Sequence, residues 1–148
     1  MPVNPELVGR VFPPDTTYVV AREKVREFAR AVRTTDPIHT DPAAARDAGF
    51  DDVVAPHTFA TVVQQQPLQR LLAEPGTGMV LERTIHAEQK FTYMRPIVAG
   101  DELSSTLTVT GIRALGGNSM VTAETVSTDA AGEVVVTATS VLLIGEGE

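Results

Sequence analysis

The chain has 148 residues, 43% of them apolar, with no cysteine, three histidines and a formal charge of −7. That length suits one domain with a single core, and the apolar fraction does not suit a disordered tail. The lack of cysteine excludes disulfides, thiolate catalysis and cysteine-ligated metals, and the negative charge argues against a general nucleic-acid backbone binder.

His39, His57 and His86 are too few for a histidine-rich metal centre, so no metal site is expected. The first twenty residues show no basic segment followed by an apolar one, and no run nears the roughly 18 apolar residues of a membrane span. A cytoplasmic protein without membrane insertion is therefore expected. Beyond Arg113 the only charges are acidic: Glu124, Asp129, Glu133, Glu146 and Glu148. This argues against phosphate binding by the C-terminal third.

In chain order, the first periodic element spans Arg22 to Val32. There Val25, Phe28, Ala29 and Val32 recur at i, i+3, i+4 and i+7, which places them on one face of a helix. Pro37 biases Asp36 toward extended backbone, so this helix ends before it. Asp41 as N-cap, Pro42 at the first helical position and Gly49 as terminator predict a short helix between them. A longer helix begins near Pro56 or Thr58, with Phe59, Val62, Val63 and Gln66 at helical spacing and Leu68, Leu71 and Leu72 beyond. Pro67 lacks a backbone donor and crowds the carbonyl of Val63, which predicts a kink or break. The run Glu74 to Gly78 ends the segment.

The second half reads as antiparallel strands. Ile85 to Tyr93 alternates imperfectly; Leu103, Leu107 and Val109 then oppose Ser104, Thr106, Thr108 and Thr110. Ser119 to Thr128 follows, with Val121 and Ala123 against Thr122 and Glu124. Leu115-Gly116-Gly117-Asn118 and Asp129-Ala130-Ala131-Gly132 read as hairpin turns. Val134 to Ile144 is apolar on both faces over much of its length, which predicts an interior strand. Helices first and sheet afterwards make the fold class α+β, in one domain over residues 1–148.

The stretch Val32 to Phe59, VRTTDPIHTDPAAARDAGFDDVVAPHTF, holds Asp36-Pro37-Ile38-His39, Asp41, Ala45, Gly49-Phe50 and Ala55. A second run, Phe91 to Asp101, reads FTYMRPIVAGD. In this order and at this distance the two runs resemble the MaoC-like family of hot-dog dehydratases and (R)-specific enoyl hydratases. The resemblance covers nearly the whole chain. It is nearest to the branch containing the smaller partner subunits of actinobacterial 3-hydroxyacyl-ACP dehydratases. It implies a curved antiparallel sheet wrapped around a central helix. It also implies pairing with a second hot-dog as homodimer or heterodimer, and an acyl-ACP or acyl-CoA thioester as substrate.

The resemblance implies that His39 stands at the catalytic histidine position. The family's catalytic aspartate position is occupied by Thr34, which cannot act as a carboxylate acid or base. Either Asp36 takes that role or a partner subunit supplies a complete pair; His39 and Asp36 as mere caps of loop backbone is the bland reading. The family reaction is reversible syn removal of water from a (3R)-hydroxyacyl thioester, which implies no metal and no redox cofactor. Charge that develops on the thioester oxygen needs donors at the start of the central helix. Pro56 has none, so His57 and Thr58 are the candidates, and Phe59, Val62 and Val63 are the candidate lining of the acyl tunnel. The rival reading from another class is a non-catalytic hot-dog that binds an acyl chain or stabilises a partner. Residue by residue, His57 reads as a surface or capping group, His86 as a cross-strand polar neighbour, and Arg95 as an ion-pair member before a phosphate ligand. Asp101 reads as a turn residue that holds backbone donors.

Overall fold

In the computed structural model, which describes residues 2–146, the first periodic stretch folds as α1, Arg22–Ala31. Val25 and Ala29 are fully buried, and Phe28 packs edge-on against Phe59 with ring centroids 5.3 Å apart. Val32 does not join them. It is the C-cap and 44% exposed, because the chain leaves the helix there through a left-handed residue, Arg33, at φ 60°. The Thr34 N–H donates to the Ala29 carbonyl at 3.0 Å and the Arg33 N–H to the Arg30 carbonyl at 3.2 Å. This is the Schellman arrangement, which satisfies carbonyls the helix would otherwise leave open.

The short helix α2, Pro42–Asp47, starts as the sequence predicts, with the Asp41 carboxylate accepting from the Ala43 N–H at 2.9 Å. It ends in the same way as α1: Gly49 adopts φ 96°, and the Phe50 N–H reaches the Ala45 carbonyl at 3.0 Å.

The third helix, α3, runs Ala60–Ala73, and it continues through Pro67 without the expected break. An interior proline costs about 3 kcal/mol. The turn after it buries Leu68 and Leu71, and two such side chains contribute roughly 1.5–3 kcal/mol each, enough to hold the helix together. Gln64 is buried in α3, while Gln66 is exposed and accepts from the Thr16 hydroxyl at 3.0 Å.

Four long strands form the sheet: β3 (Thr84–Tyr93), β4 (Glu102–Leu115), β5 (Asn118–Thr128) and β6 (Val134–Gly145). Two short strands, β1 (Val11–Phe12) and β2 (Tyr18–Val19), escape sequence reading because two residues show no alternation. Both pair with β4, and the order is β1-β4-β5-β6-β3, antiparallel throughout. β6 is interior, as its apolar faces imply. β3 is an edge, hydrogen-bonded only to β6 among the described residues. Its imperfect alternation comes from a register shift between His86 and Glu88. Leu115 pairs with Asn118, so the predicted four-residue linker narrows to a Gly116-Gly117 turn.

α3 lies against β4, β5 and β6 and joins two core clusters. Leu68 and Leu71 pack with Phe12, Leu107, Val121 and Leu142; Phe59, Ala60 and Val63 pack with Val25, Val53, Ile97 and Val136. The fold is α+β: a curved six-stranded antiparallel sheet around a central helix, the hot-dog arrangement.

Candidate functional site

His39 ends a single 3₁₀ turn, Pro37–His39, that crosses from α1 to α2. The segment Val53 to Ala55 runs extended beside it. Ala55 N–H donates to the Ile97 carbonyl at 2.8 Å and Ala99 N–H to the Val53 carbonyl at 3.0 Å, so this segment is fixed to the loop between β3 and β4. Its Val54 N–H donates to the Ile38 carbonyl at 2.9 Å, and its Val54 carbonyl lies 2.5 Å from His39 Nδ1. A carbonyl only accepts, so Nδ1 carries the hydrogen, and in the neutral ring Nε2 is left with a lone pair. The half-buried ring is thus oriented by backbone, and Nε2 has no hydrogen-bond partner among the described residues. Arg26, from α1, adds a brace by donating from Nε to the Thr40 carbonyl at 2.8 Å.

Asp36 is the N-cap of the same turn. It is exposed, and its carboxylate accepts from the Ile38 N–H at 3.1 Å. Thr34 is turned back to α1, its hydroxyl donating to the Ala29 carbonyl at 3.3 Å. Among the described residues no hydrogen bond joins either side chain to His39.

His57 and Thr58 are exposed in the turn that leads into α3. Tyr93, the last residue of β3, crosses to this turn and donates its hydroxyl to the His57 carbonyl. The Tyr93 and His57 rings meet edge-to-face at 6.1 Å. Burial pushes the Tyr93 phenol above its usual range, partly opposed by the Ala60 N–H beside its oxygen. Phe59 and Val63 are core residues with little exposure, and Val62 packs partly buried against the same cluster.

A groove of about 820 Å³ lies farther along α3, between its exposed flank and the first half of β3. Leu68, Leu72, Leu81 and Leu142 form apolar walls, and Thr61, Gln64 and His86 also face it. Phe59, Val62 and Val63 do not line it. Behind it, Gln64 Nε2 donates to Gln89 Oε1 at 2.7 Å, Ser140 donates to the same oxygen at 2.8 Å, and His86 Nε2 lies 2.9 Å from it. His86 therefore finds its partner within its own strand, three residues on, rather than across strands. Gln64, Gln89 and Tyr93 were missed by sequence reading. For Gln64 a signal existed, since it stands four and seven residues before Leu68 and Leu71 on one helical stripe.

On the loops below His39, Arg95 pairs with Asp101 (2.8 Å) and Asp129 (3.2 Å), and Asp101 also accepts from the Val98 N–H. Asp101 thus fills its expected turn role and Arg95 its ion-pair role. Among the described residues no three histidine or acidic side chains gather as metal ligands, and no helix is long and apolar enough to cross a membrane.

A family model described as "FAS1-like, dehydratase domain region" matches residues 6–138. The chain belongs to the FAS1-like dehydratase-region family. Members similar to it over their full length include a UPF0336 protein of Clavibacter michiganensis, 60% identical over 144 residues with 97% of each chain covered. Another is a UPF0336 protein of Streptomyces avermitilis, 41% identical over 148 residues, covering 100% of this chain and 99% of that one. Among solved structures, a MaoC-like dehydratase superposes with TM-score 0.87 at 38% identity; the match covers 95% of this chain and 42% of that longer one. The HadBC (3R)-hydroxyacyl-ACP dehydratase complex of Mycobacterium tuberculosis matches with TM-score 0.84 at 27% identity, covering 96% and 99% of the two chains. These family relationships establish the dehydratase-type hot-dog.

Proposed function

We propose that this chain is one hot-dog subunit of a (3R)-hydroxyacyl-thioester dehydratase, run in reverse as an enoyl-thioester hydratase. It holds the acyl chain of an acyl-ACP or acyl-CoA while paired with a second hot-dog. The observation that carries the reading is the state of His39. Its ring is oriented by Val54, with Nε2 available to accept a proton, yet the carboxylate that should work with it is absent at Thr34, and Asp36 caps Ile38. A histidine without its carboxylate suits a subunit whose partner completes the chemistry. The free edge of β3 offers the backbone groups such a partner needs, and the solved HadBC relative is itself a two-subunit complex.

In this reading a base removes the C2 proton, a second group protonates the departing C3 hydroxyl, and negative charge gathers on the thioester oxygen. The His57 and Thr58 N–H groups at the head of α3 meet that charge, with the helix dipole aligned behind them. The groove along α3 receives the acyl chain. A self-sufficient variant, in which Asp36 swings from Ile38 to serve His39, is favoured by one feature only, the Nε2 lone pair.

The test is hydration of crotonyl-CoA and of a longer trans-2-enoyl-CoA by the purified chain, alone and mixed with a second hot-dog subunit from the same organism. Turnover only in the mixture, little changed by His39→Ala or Asp36→Asn, supports the partner reading. Turnover by the chain alone that is lost in both variants supports the self-sufficient one. Binding of acyl thioester without turnover in any mixture would leave a non-catalytic acyl-binding protein.

A further inference from the structure

We infer that Tyr93 is a positioning residue: by holding the His57 carbonyl, it aims the Thr58 N–H at the thioester oxygen. The inference rests on the dehydratase reading, and it deepens that reading by naming what fixes the charge-stabilising turn.

In the turn from Pro56 to Phe59 the first turn of α3 holds the Thr58 and Phe59 carbonyls, through Thr61 and Val62, so the two peptide groups before them need other constraints. One is internal, the Phe59 N–H donating to the Pro56 carbonyl at 2.9 Å. Peptide units are planar and trans, so a carbonyl and the following N–H point to opposite sides. With the Pro56 carbonyl turned toward Phe59, the His57 N–H points away from the helix body. The second constraint is Tyr93. Its hydroxyl draws the His57 carbonyl toward the end of β3, which sends the Thr58 N–H in the opposite direction. Neither N–H is taken by another group among the described residues. Two adjacent donors without acceptors, at the positive end of a fourteen-residue helix, form the kind of site that meets a developing oxyanion.

The hydroxyl, and not the ring, carries this role. The ring is held independently, edge-to-face on His57 and 6.1 Å from Phe91. No other side chain among the described residues bonds the His57 carbonyl. Tyr93 ends the edge strand, so docking of a partner along β3 would press on the residue that sets the oxyanion donors.

Tyr93→Phe keeps the ring and removes only the hydroxyl. Two measurements test it. Backbone ¹⁵N order parameters at His57 and Thr58 fall toward the flexible range, below about 0.6, while those of α3 stay near about 0.85. In the active complex kcat falls on the order of 10- to 100-fold with KM changed less than about threefold, because the lost alignment matters in the transition state. Unchanged order parameters at His57 and Thr58, or an unchanged kcat, would overturn the inference. If the unmodified complexes turn over no enoyl thioester, it is the dehydratase reading that fails, and the order parameters alone decide whether Tyr93 fixes the turn.

Discussion

Gln64 and Gln89 face each other across the helix–sheet boundary, and their replacement by leucine should have unequal costs in an order opposite to their burial. Gln64 is 2% exposed and Gln89 only half-buried. Gln64→Leu removes hydrogen bonds at 2.7, 3.3 and 3.2 Å, but every partner atom keeps another contact. Gln89 Oε1 retains Ser140 and His86, Gln89 Nε2 retains the Thr139 carbonyl at 3.1 Å, and Ser140 retains Gln89. No orphan is created, and the leucine buries apolar surface in return, so the loss should be about 1 kcal/mol. Gln89→Leu also removes the acceptor of Gln64 Nε2, which has no other partner among the described residues. An unmet buried donor adds about 1–3 kcal/mol, for a total of roughly 2–4. Adding Gln64→Leu to Gln89→Leu removes the stranded amide and should restore about 1–2 kcal/mol. Urea unfolding of the three variants, compared at constant slope, measures all of this. A double variant as unstable as the sum of the singles, or Gln64→Leu costing as much as Gln89→Leu, would refute the orphan argument.

Three further outcomes are expected. Arg33→Gly relieves the left-handed residue after α1 and should raise stability by about 0.5–1 kcal/mol in thermal unfolding, whereas a drop would show that the Arg33 side chain outweighs its backbone. Gly78→Ala should lower stability by about 2 kcal/mol or more, since its Cβ would lie 2.4 Å from the Pro2 carbonyl oxygen at a φ of +75°. Asp52→Asn tests a linkage with a fixed sign. The Arg22 guanidinium, bonded at 2.7 and 3.0 Å, holds the Asp52 carboxyl below the ordinary range. A depressed folded pKa means stabilisation that is present above about pH 4 and lost as pH falls through the folded value. Variant and parent should therefore differ slightly in melting temperature at neutral pH, the pair being solvent-screened, and converge in acid.

What could be read from the chain was whatever its neighbours in sequence decide. Asp41 before Pro42 fixes the start of α2 within three residues, and Gly49 its end; the period-2 run of β5 needs no outside help. The His39 turn is legible for the same reason, being closed by Asp36 and Ile38. Elements decided at long range were not legible. Val32 has helical spacing, but the Schellman bond from Thr34 stops the helix before it can face the core. Pro67 argues locally for a break, and only the packing of Leu68 and Leu71 on strands more than thirty residues away overrules it. The partners of Gln64 come from 25 and 76 residues farther along, and Tyr93 reaches back 36 residues to His57. Spacing rules carry no information about such pairs.

The unequal margins of the sheet have a consequence for stoichiometry. On one side β4 is blunted by two stubs, Val11–Phe12 on Leu107–Thr108 and Tyr18–Val19 on Leu103 and Glu102. On the other side β3 carries ten residues with one row of amides unspent. Among the described residues β3 is therefore the one long margin open to strand pairing. A copy or look-alike that met it margin to margin would cover that row and leave only the stub-capped side of β4 at the ends of the joined sheet. A sheet open along both margins would offer no such stop and could grow into a fibre.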